Sequence, residues 1–187
     1  MKKIIFVAYL VVLFFAICFL FGCATIQSMP AETAPKSSFR SLPRTIVIAP
    51  IVLEENLAND SKKFYLKLIG EEGFEKGRET LYRTFQENFG PEFQILKDPP
   101  INGEYLLVKM EIGRFGISPL GLVGTFGQYS KGMLTRLSVF KMPGSEEIIT
   151  HKPLTVGHWV FQDRTLFYDA IKSSGERVAH LLKQNIS

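Results

Sequence analysis

Histidine and serine are residue types that many enzymes use for catalysis. In this chain their spacing matches no common catalytic arrangement. His151 and His158 lie seven positions apart, which places them on opposite faces of an uninterrupted strand. Neither takes part in the HxxxH or HExxH spacing that holds zinc, and His180 lies in a predicted helix. No GxSxG elbow precedes a helix, and Ser145 falls in a predicted turn. We therefore expect solvated or hydrogen-bonded histidines and no metal site.

Adjacent acidic residues are the other chemical candidates. The pairs are Glu54-Glu55, Glu71-Glu72 and Glu146-Glu147. Two carboxyl groups can serve as acid and base in glycoside hydrolysis, but nothing in the spacing selects one pair over the others. We expect solvated loop and turn residues, no catalytic residue and no cofactor. A hydrolase with an unrecognised site stays as an alternative.

Cys23 is the residue whose surroundings point to a specific modification. Lys2 and Lys3 precede an apolar run of 18 residues, Ile4 to Phe21, which Gly22 and Cys23 follow. A basic start, an apolar stretch and a small residue before the cleavage point are typical of a secretory signal. An uncleaved signal anchor is the alternative, because 18 apolar residues are at the short end of a membrane span.

The sequence Leu20-Phe21-Gly22-Cys23 resembles the lipobox of bacterial lipoproteins. The resemblance implies a diacylglycerol on the Cys23 sulfur and signal cleavage after Gly22, so that residues 1–22 are removed. Phe21 is bulkier than the family's usual residue at that position. Ala24 follows, where an Asp commonly retains such lipoproteins in the inner membrane, so the resemblance implies the periplasmic face of the outer membrane.

Removing the leader changes what the composition indicates. The chain has 187 residues, of which 46% are hydrophobic, and 19 of the first 22 are apolar. Without Lys2 and Lys3, 20 basic residues face 18 acidic ones, so we expect no nucleic-acid binding. Cys18 leaves with the leader. The remaining chain therefore has no second cysteine for a disulfide, cysteine catalysis or a thiolate metal site.

Residues 23–43 are predicted to be the lipidated cysteine and a flexible tether, since Pro, Ser, Ala and Thr dominate and no period is visible. Packing of part of this stretch along the domain, through Ile26 or Phe39, stays open. Residues 44–187 are predicted to form one domain.

The domain reads as α+β. Thr45–Val52, Phe93–Leu96, Tyr105–Arg114, Met133–Met142 and Ile148–Val156 read as strands, and Phe74–Phe89 and Thr165–Asn185 as helices. In the third strand Leu106, Val108, Met110 and Ile112 share one face; in the fourth, Leu137 and Val139 point inward and Arg136 and Ser138 outward. The order β-α-β-β-β-β-α predicts an antiparallel or mixed sheet of four to five strands with two helices on one face. Phe64–Ile69 is ambiguous between strand and helix.

Two apolar surface candidates follow from this order. The loop Gly116–Gly132 carries Leu120, Leu122, Val123 and Phe126 among regularly spaced glycines. It either contacts a partner or membrane or folds back onto the core. Trp159 and Phe161 alternate after His158 and belong either to the core or to an exposed aromatic stripe.

The stretch from Leu106 to Ile149, LLVKMEIGRFGISPLGLVGTFGQYSKGMLTRLSVFKMPGSEEII, together with Ile46-Val47-Ile48-Ala49-Pro50, is similar to the periplasmic domain of the curli secretion channel lipoprotein and to related small lipoproteins. That resemblance implies an oligomeric channel as one alternative function. The chain departs from it, because Gly113–Gly132 is short, Pro119 breaks a strand ladder, and no second membrane hairpin follows.

The sequence thus predicts a lipid-anchored envelope lipoprotein whose non-catalytic domain binds another envelope component in assembly, transport or envelope integrity. The expected partners are the membrane, through the lipid, and a protein. The oligomeric state stays open.

Overall fold

The computed structural model describes residues 25–27, 31–33, 42–118, 130–158 and 163–186. These residues form nine strand segments and three α-helices. The strands are β1 (Thr25–Gln27), β2 (Glu32–Thr33), β3 (Thr45–Ile48), β4 (Val52–Leu53), β5 (Gln94–Leu96), β6 (Tyr105–Ser118), β7 (Ser130–Met142), β8 (Glu146–His151) and β9 (Leu154–His158). The helices are α1 (Asn59–Leu68), α2 (Gly70–Phe89) and α3 (Asp163–Ile186), and a 3-10 turn, Gly90–Glu92, follows α2.

All nine segments join one mixed sheet. The long hairpin of β6 and β7 is antiparallel, and β3 runs parallel to both β6 and β5. On the far side of β7, β8 and β9 pair with successive parts of the same strand, and β2 and β1 pair with β8 and β9. β4 continues beside β6 where β3 stops. The predicted α+β class with a mixed sheet is confirmed.

Two prolines divide what would otherwise be continuous strands: β3 and β4 both pair with β6, and β8 and β9 both pair with β7. Pro50 lies between β3 and β4, and Pro153 lies between β8 and β9. Proline lacks the N–H that a ladder needs, so it interrupts pairing without redirecting the chain. Across the second gap, the backbone N–H of Thr135 still donates to the Pro153 carbonyl at 3.2 Å. The strand predicted over Ile148–Val156 is therefore two segments.

The predicted inward face of β6 is confirmed. Leu106, Val108, Met110 and Ile112 are all 0% exposed and lie in the hydrophobic core. Leu137 and Val139 of β7 are buried in the same core. Ser138 lies on the opposite face, as predicted, but it is buried there. Its hydroxyl shares a 2.7 Å hydrogen bond with Thr150 Oγ1 and donates to Glu147 at 3.2 Å.

Three helices, rather than two, contribute to the core. The ambiguous stretch Phe64–Ile69 belongs mostly to α1, and α2 begins at Gly70 instead of Phe74. Helices α2 and α3 run in the same direction, since Gly77 lies against Ile171 and Gly175 lies against Leu81. These two glycines let the helix backbones approach closely.

Part of the range predicted as a tether lies along the sheet. Thr25–Gln27 pairs with β9, where Ile26 is opposite Thr155, and Glu32–Thr33 pairs with β8. This is the packing that the sequence left open for Ile26. Phe39 lies outside the described residues.

Candidate functional site at the hairpin end of the sheet

Four strand ends meet at one end of the sheet, which we call the hairpin end. In the register of the strands, Ser118 pairs with Ser130, and Ser130 pairs with His158. Thr25, the first residue of β1, is opposite Val156, two positions from that level. The chain thus enters or leaves the described sheet four times at this end.

The segments joined to these four ends contain the residues predicted for function. Gly22 and Cys23 precede Thr25, and Leu120, Leu122, Val123 and Phe126 lie between Ser118 and Ser130. Trp159 and Phe161 follow His158. All eight lie outside the described residues, so the structure gives their points of attachment rather than their positions.

The hairpin extends past an irregularity in its ladder. The β6–β7 register shifts between Ile112 and Phe115, and pairing then resumes as far as Ser118. In the same stretch, the Tyr65 hydroxyl of α1 donates to the Gly113 carbonyl at 3.0 Å. Helix α1 therefore contacts β6 at the start of the irregularity, before the last paired residues of the hairpin.

Helix α3 leads away from the hairpin end. Asp163 starts five positions after His158, and Ser174 lies beside Thr135, with hydroxyl oxygens 3.5 Å apart. Along the helix, Asp163 to Ser174 spans about 16 Å, and along β7, Ser130 to Thr135 spans about 17 Å. The two distances agree, so α3 runs along the strands, away from the hairpin end.

A buried polar cluster lies between α3 and strands β7 to β9. Its members are Thr135, His151, Thr155 and Ser174, all of them at most 2% exposed. Among the described residues, His151 Nδ1 and Thr155 Oγ1 have no hydrogen-bond partner. Burial, together with the charge of Arg177, lowers the pKa of His151, which favours the neutral ring. The expectation of a solvated or hydrogen-bonded His151 is wrong for its Nδ1 atom, because the strand turns the ring into the core.

The remaining predicted chemical residues lie apart from one another. His180 is exposed on α3, and Glu54, Glu55, Glu71 and Glu72 are exposed. Glu147 lies with Arg136 and Glu111 on the sheet face opposite the core, where nitrogen–oxygen distances from Arg136 to both acids are 3.9 Å. In the described part of the chain, no three His, Cys, Asp or Glu residues are grouped so that they could hold a metal ion.

A groove that the sequence did not reveal lies at the far ends of α2 and α3. We call it the helix-end groove. It has a volume of about 480 Å³. It is lined by Glu87, Asn88, Phe89, Gly90, Pro91, Glu92, Phe93, Lys183 and Ile186. The helical spacing of Phe85 and Phe89 predicted the inner face of α2, but nothing in it placed α3 beside the end of α2.

No helix within the described ranges is long and apolar enough to cross a membrane.

No protein-family model and no curated protein matches the sequence. Among solved structures, the chain is similar to the PelC dodecamer from Paraburkholderia phytofirmans, with 7% identity and a TM-score of 0.47, over 84% of this chain and 98% of that one. It is also similar to a protein from Xanthomonas campestris assigned to DUF330, with 7% identity and a TM-score of 0.43, over 76% of this chain and 85% of that one.

Proposed function

We propose that this protein is a lipid-anchored lipoprotein of the bacterial cell envelope, on the periplasmic face of the outer membrane, and that its non-catalytic domain binds another envelope component. One observation carries the proposal. The register of β1, β6, β7 and β9 brings the chain segment after Cys23 to the same end of the sheet as the apolar loop.

The pairing of β1 supports a short distance between lipid and domain. Cys23 precedes Thr25 by two positions, and two extended residues span about 7 Å at most. An acylated Cys23 would therefore hold the hairpin end close to the membrane surface. Several acyl chains would anchor the protein stably without a membrane-spanning helix of its own.

The other segments at this end suit contact with lipid. Leu120, Leu122, Val123 and Phe126 supply large apolar side chains between Ser118 and Ser130. After His158 come Trp159 and Phe161, and tryptophan favours the boundary between headgroups and acyl chains. We propose that the hairpin end faces the bilayer and that the rest of the domain is available to the partner.

Trp159 offers a direct test, because it is the single tryptophan of the chain. The acylated protein is placed in vesicles of phosphatidylethanolamine and phosphatidylglycerol whose acyl chains are brominated. Bromine quenches tryptophan fluorescence only at short range, so we expect strong quenching of Trp159. The triple variant Leu122→Ser, Val123→Ser, Phe126→Ser should reduce it.

A matched control carries the fluorophore at the opposite end. In the double variant Trp159→Phe, Phe93→Trp, the tryptophan lies in the helix-end groove and should not be quenched. Equal quenching of both proteins, or none of Trp159 in the acylated protein, would contradict the proposed orientation.

The anchor is tested separately. Cys23→Ser should abolish incorporation of labelled fatty acid and release the protein from the outer-membrane fraction. If the variant fractionates and is processed like the natural chain, the lipoprotein assignment is wrong.

A further inference from the structure

The helix-end groove is far from the proposed membrane contact. From Ser174, which is beside Thr135, α3 continues to Ile186, a further rise of about 18 Å. Since Thr135 is itself about 17 Å from Ser130, the groove lies more than about 30 Å from the hairpin end. In the proposed orientation, the groove therefore lies at the end of the domain that faces away from the membrane, where an envelope partner would meet it first.

The charges around the groove are predominantly negative. Glu87 and Glu92 line it, both exposed and neither in an ion pair with another described residue. Because α2 and α3 run in the same direction, both helices end here, and the C-terminal end of a helix dipole carries roughly half a negative charge. Lys183 supplies the only positive side chain among the lining residues.

An aromatic floor lies beneath these charges. Phe89 is buried and contacts Phe93 edge to face, with ring centroids 5.0 Å apart, and it stacks on Phe85 at 5.8 Å. Lys183 Nζ lies 5.7 Å from the centre of the Phe89 ring, so this ring already receives a cation. Ile186, 39% exposed, adds an apolar wall.

We propose that the helix-end groove binds a basic peptide segment of a protein partner. An arginine or lysine would lie between Glu87, Glu92 and the terminal helix carbonyls, and an adjacent apolar side chain would pack on Phe93 and Ile186. The inference deepens the proposed function by giving the chemistry of the partner. It rests on that function only for the statement that the partner binds away from the membrane.

The test uses fluorescently labelled peptides and the full processed protein in detergent micelles, with binding followed by anisotropy. The probes are Leu-Arg-Leu-Arg, Leu-Glu-Leu-Glu and Gly-Arg-Gly-Arg amides. We expect the first to bind most tightly, the acidic peptide not to bind, and the glycine peptide to bind weakly. Added salt should weaken binding, because part of the attraction is between exposed charges.

Variants locate the binding site. Glu87→Gln with Glu92→Gln should weaken binding of Leu-Arg-Leu-Arg by about fivefold, since each exposed charge contributes modestly. Glu71→Gln with Glu104→Gln removes two exposed acids outside the groove and should leave binding unchanged. All four positions are exposed, so these variants should fold normally.

Ile186→Ser is expected to weaken binding of Leu-Arg-Leu-Arg but not of Gly-Arg-Gly-Arg. Equal effects of the two double variants, or equal binding of the acidic peptide, would overturn the proposal. The membrane proposal is judged independently by Trp159 quenching, which none of these groove substitutions should change.

Discussion

The hydroxyl of Tyr65 donates a 3.0 Å hydrogen bond to the carbonyl oxygen of Gly113, 48 positions further along the chain. Gly113 lies where β6 leaves its regular register with β7, so its carbonyl is at the start of the ladder irregularity. Tyr65 is the one buried side chain of α1, and burial raises the pKa of its phenol, which keeps the hydroxyl protonated as a donor. This bond joins the first helix to β6 at the point where the β6–β7 ladder becomes irregular.

Tyr65→Phe should therefore destabilise the domain. The substitution keeps the ring but leaves a buried carbonyl without its donor, which costs about 1–2 kcal/mol of unfolding free energy. Urea unfolding followed by circular dichroism measures it. Tyr105→Phe, at the half-buried first residue of β6, should change the midpoint little. Equal midpoints for the two variants would show that the bond contributes nothing.

The close packing of α2 on α3 gives a second prediction. A Cβ on Gly77 would lie 2.7 Å from Ile171 Cδ1 and 3.2 Å from Phe167 Cε1, and both of these residues are buried. Gly77→Ala should lower the unfolding free energy by about 1–3 kcal/mol, although alanine favours a helix. Gly144→Ala is the control, because its Cβ would meet nothing within 4 Å. A stabilised Gly77→Ala protein would contradict the packing.

Strand β6 could be predicted from the local sequence pattern, whereas helix α1 could not. The alternation of Leu106, Val108, Met110 and Ile112 identified a half-buried strand, because a period of two needs only neighbouring residues. The same logic failed for α1, whose single buried residue leaves no helical stripe. Tyr65 gains its place from Gly113, a contact that no local period encodes.

Some features of the candidate site could likewise be predicted from the sequence, and others could not. The leader predicted before Cys23 rests on a basic start, an apolar run and a small residue, which are neighbours in sequence. The common level of Ser118, Ser130 and His158 depends on strand register, and the helix-end groove depends on two helices that end together. Both are products of tertiary pairing between residues far apart in the chain.

His151 gives a prediction about pH. Burial lowers the pKa of His151 in the folded state, whereas its pKa in the unfolded chain is about 6.5. As the pH falls through 6.5, the unfolded chain takes up a proton that the folded protein resists, so stability should decrease with acidification. The loss should begin above the range in which carboxyl groups titrate. The measurement is the urea midpoint at a series of pH values from neutral to mildly acidic.

The control for this pH dependence is the exposed His180. His180→Gln should retain the decline in stability, and His151→Gln should flatten it. A decline that is unchanged in His151→Gln would assign the effect to other groups.

Arg78 joins helix α2 to the ends of two strands of the sheet, and this gives a further prediction. Its Nε donates to the Ile48 carbonyl at 3.0 Å, and its guanidinium also donates to the Lys97 carbonyl. The side chain is 11% exposed. It links α2 to the end of β3 through a partly buried bond and to the residue after β5 through a bond at the surface. Arg78→Gln removes this link and leaves both carbonyls without their charged donor. We expect a loss of about 2–3 kcal/mol in unfolding free energy.

The matched control is another arginine of the same helix. Arg83 pairs with Glu79 at 2.9 Å, but its side chain is 69% exposed, and exposed pairs contribute at most about 1 kcal/mol. Arg83→Gln should therefore have a much smaller effect than Arg78→Gln in the same urea experiment. If the two substitutions cost the same, the two backbone bonds of Arg78 do not stabilise the junction. The edge strand β5 would then be held by its pairing with β3, by its core residue Ile95 and by the Tyr82 hydroxyl, which donates to the Ile95 carbonyl at 3.4 Å.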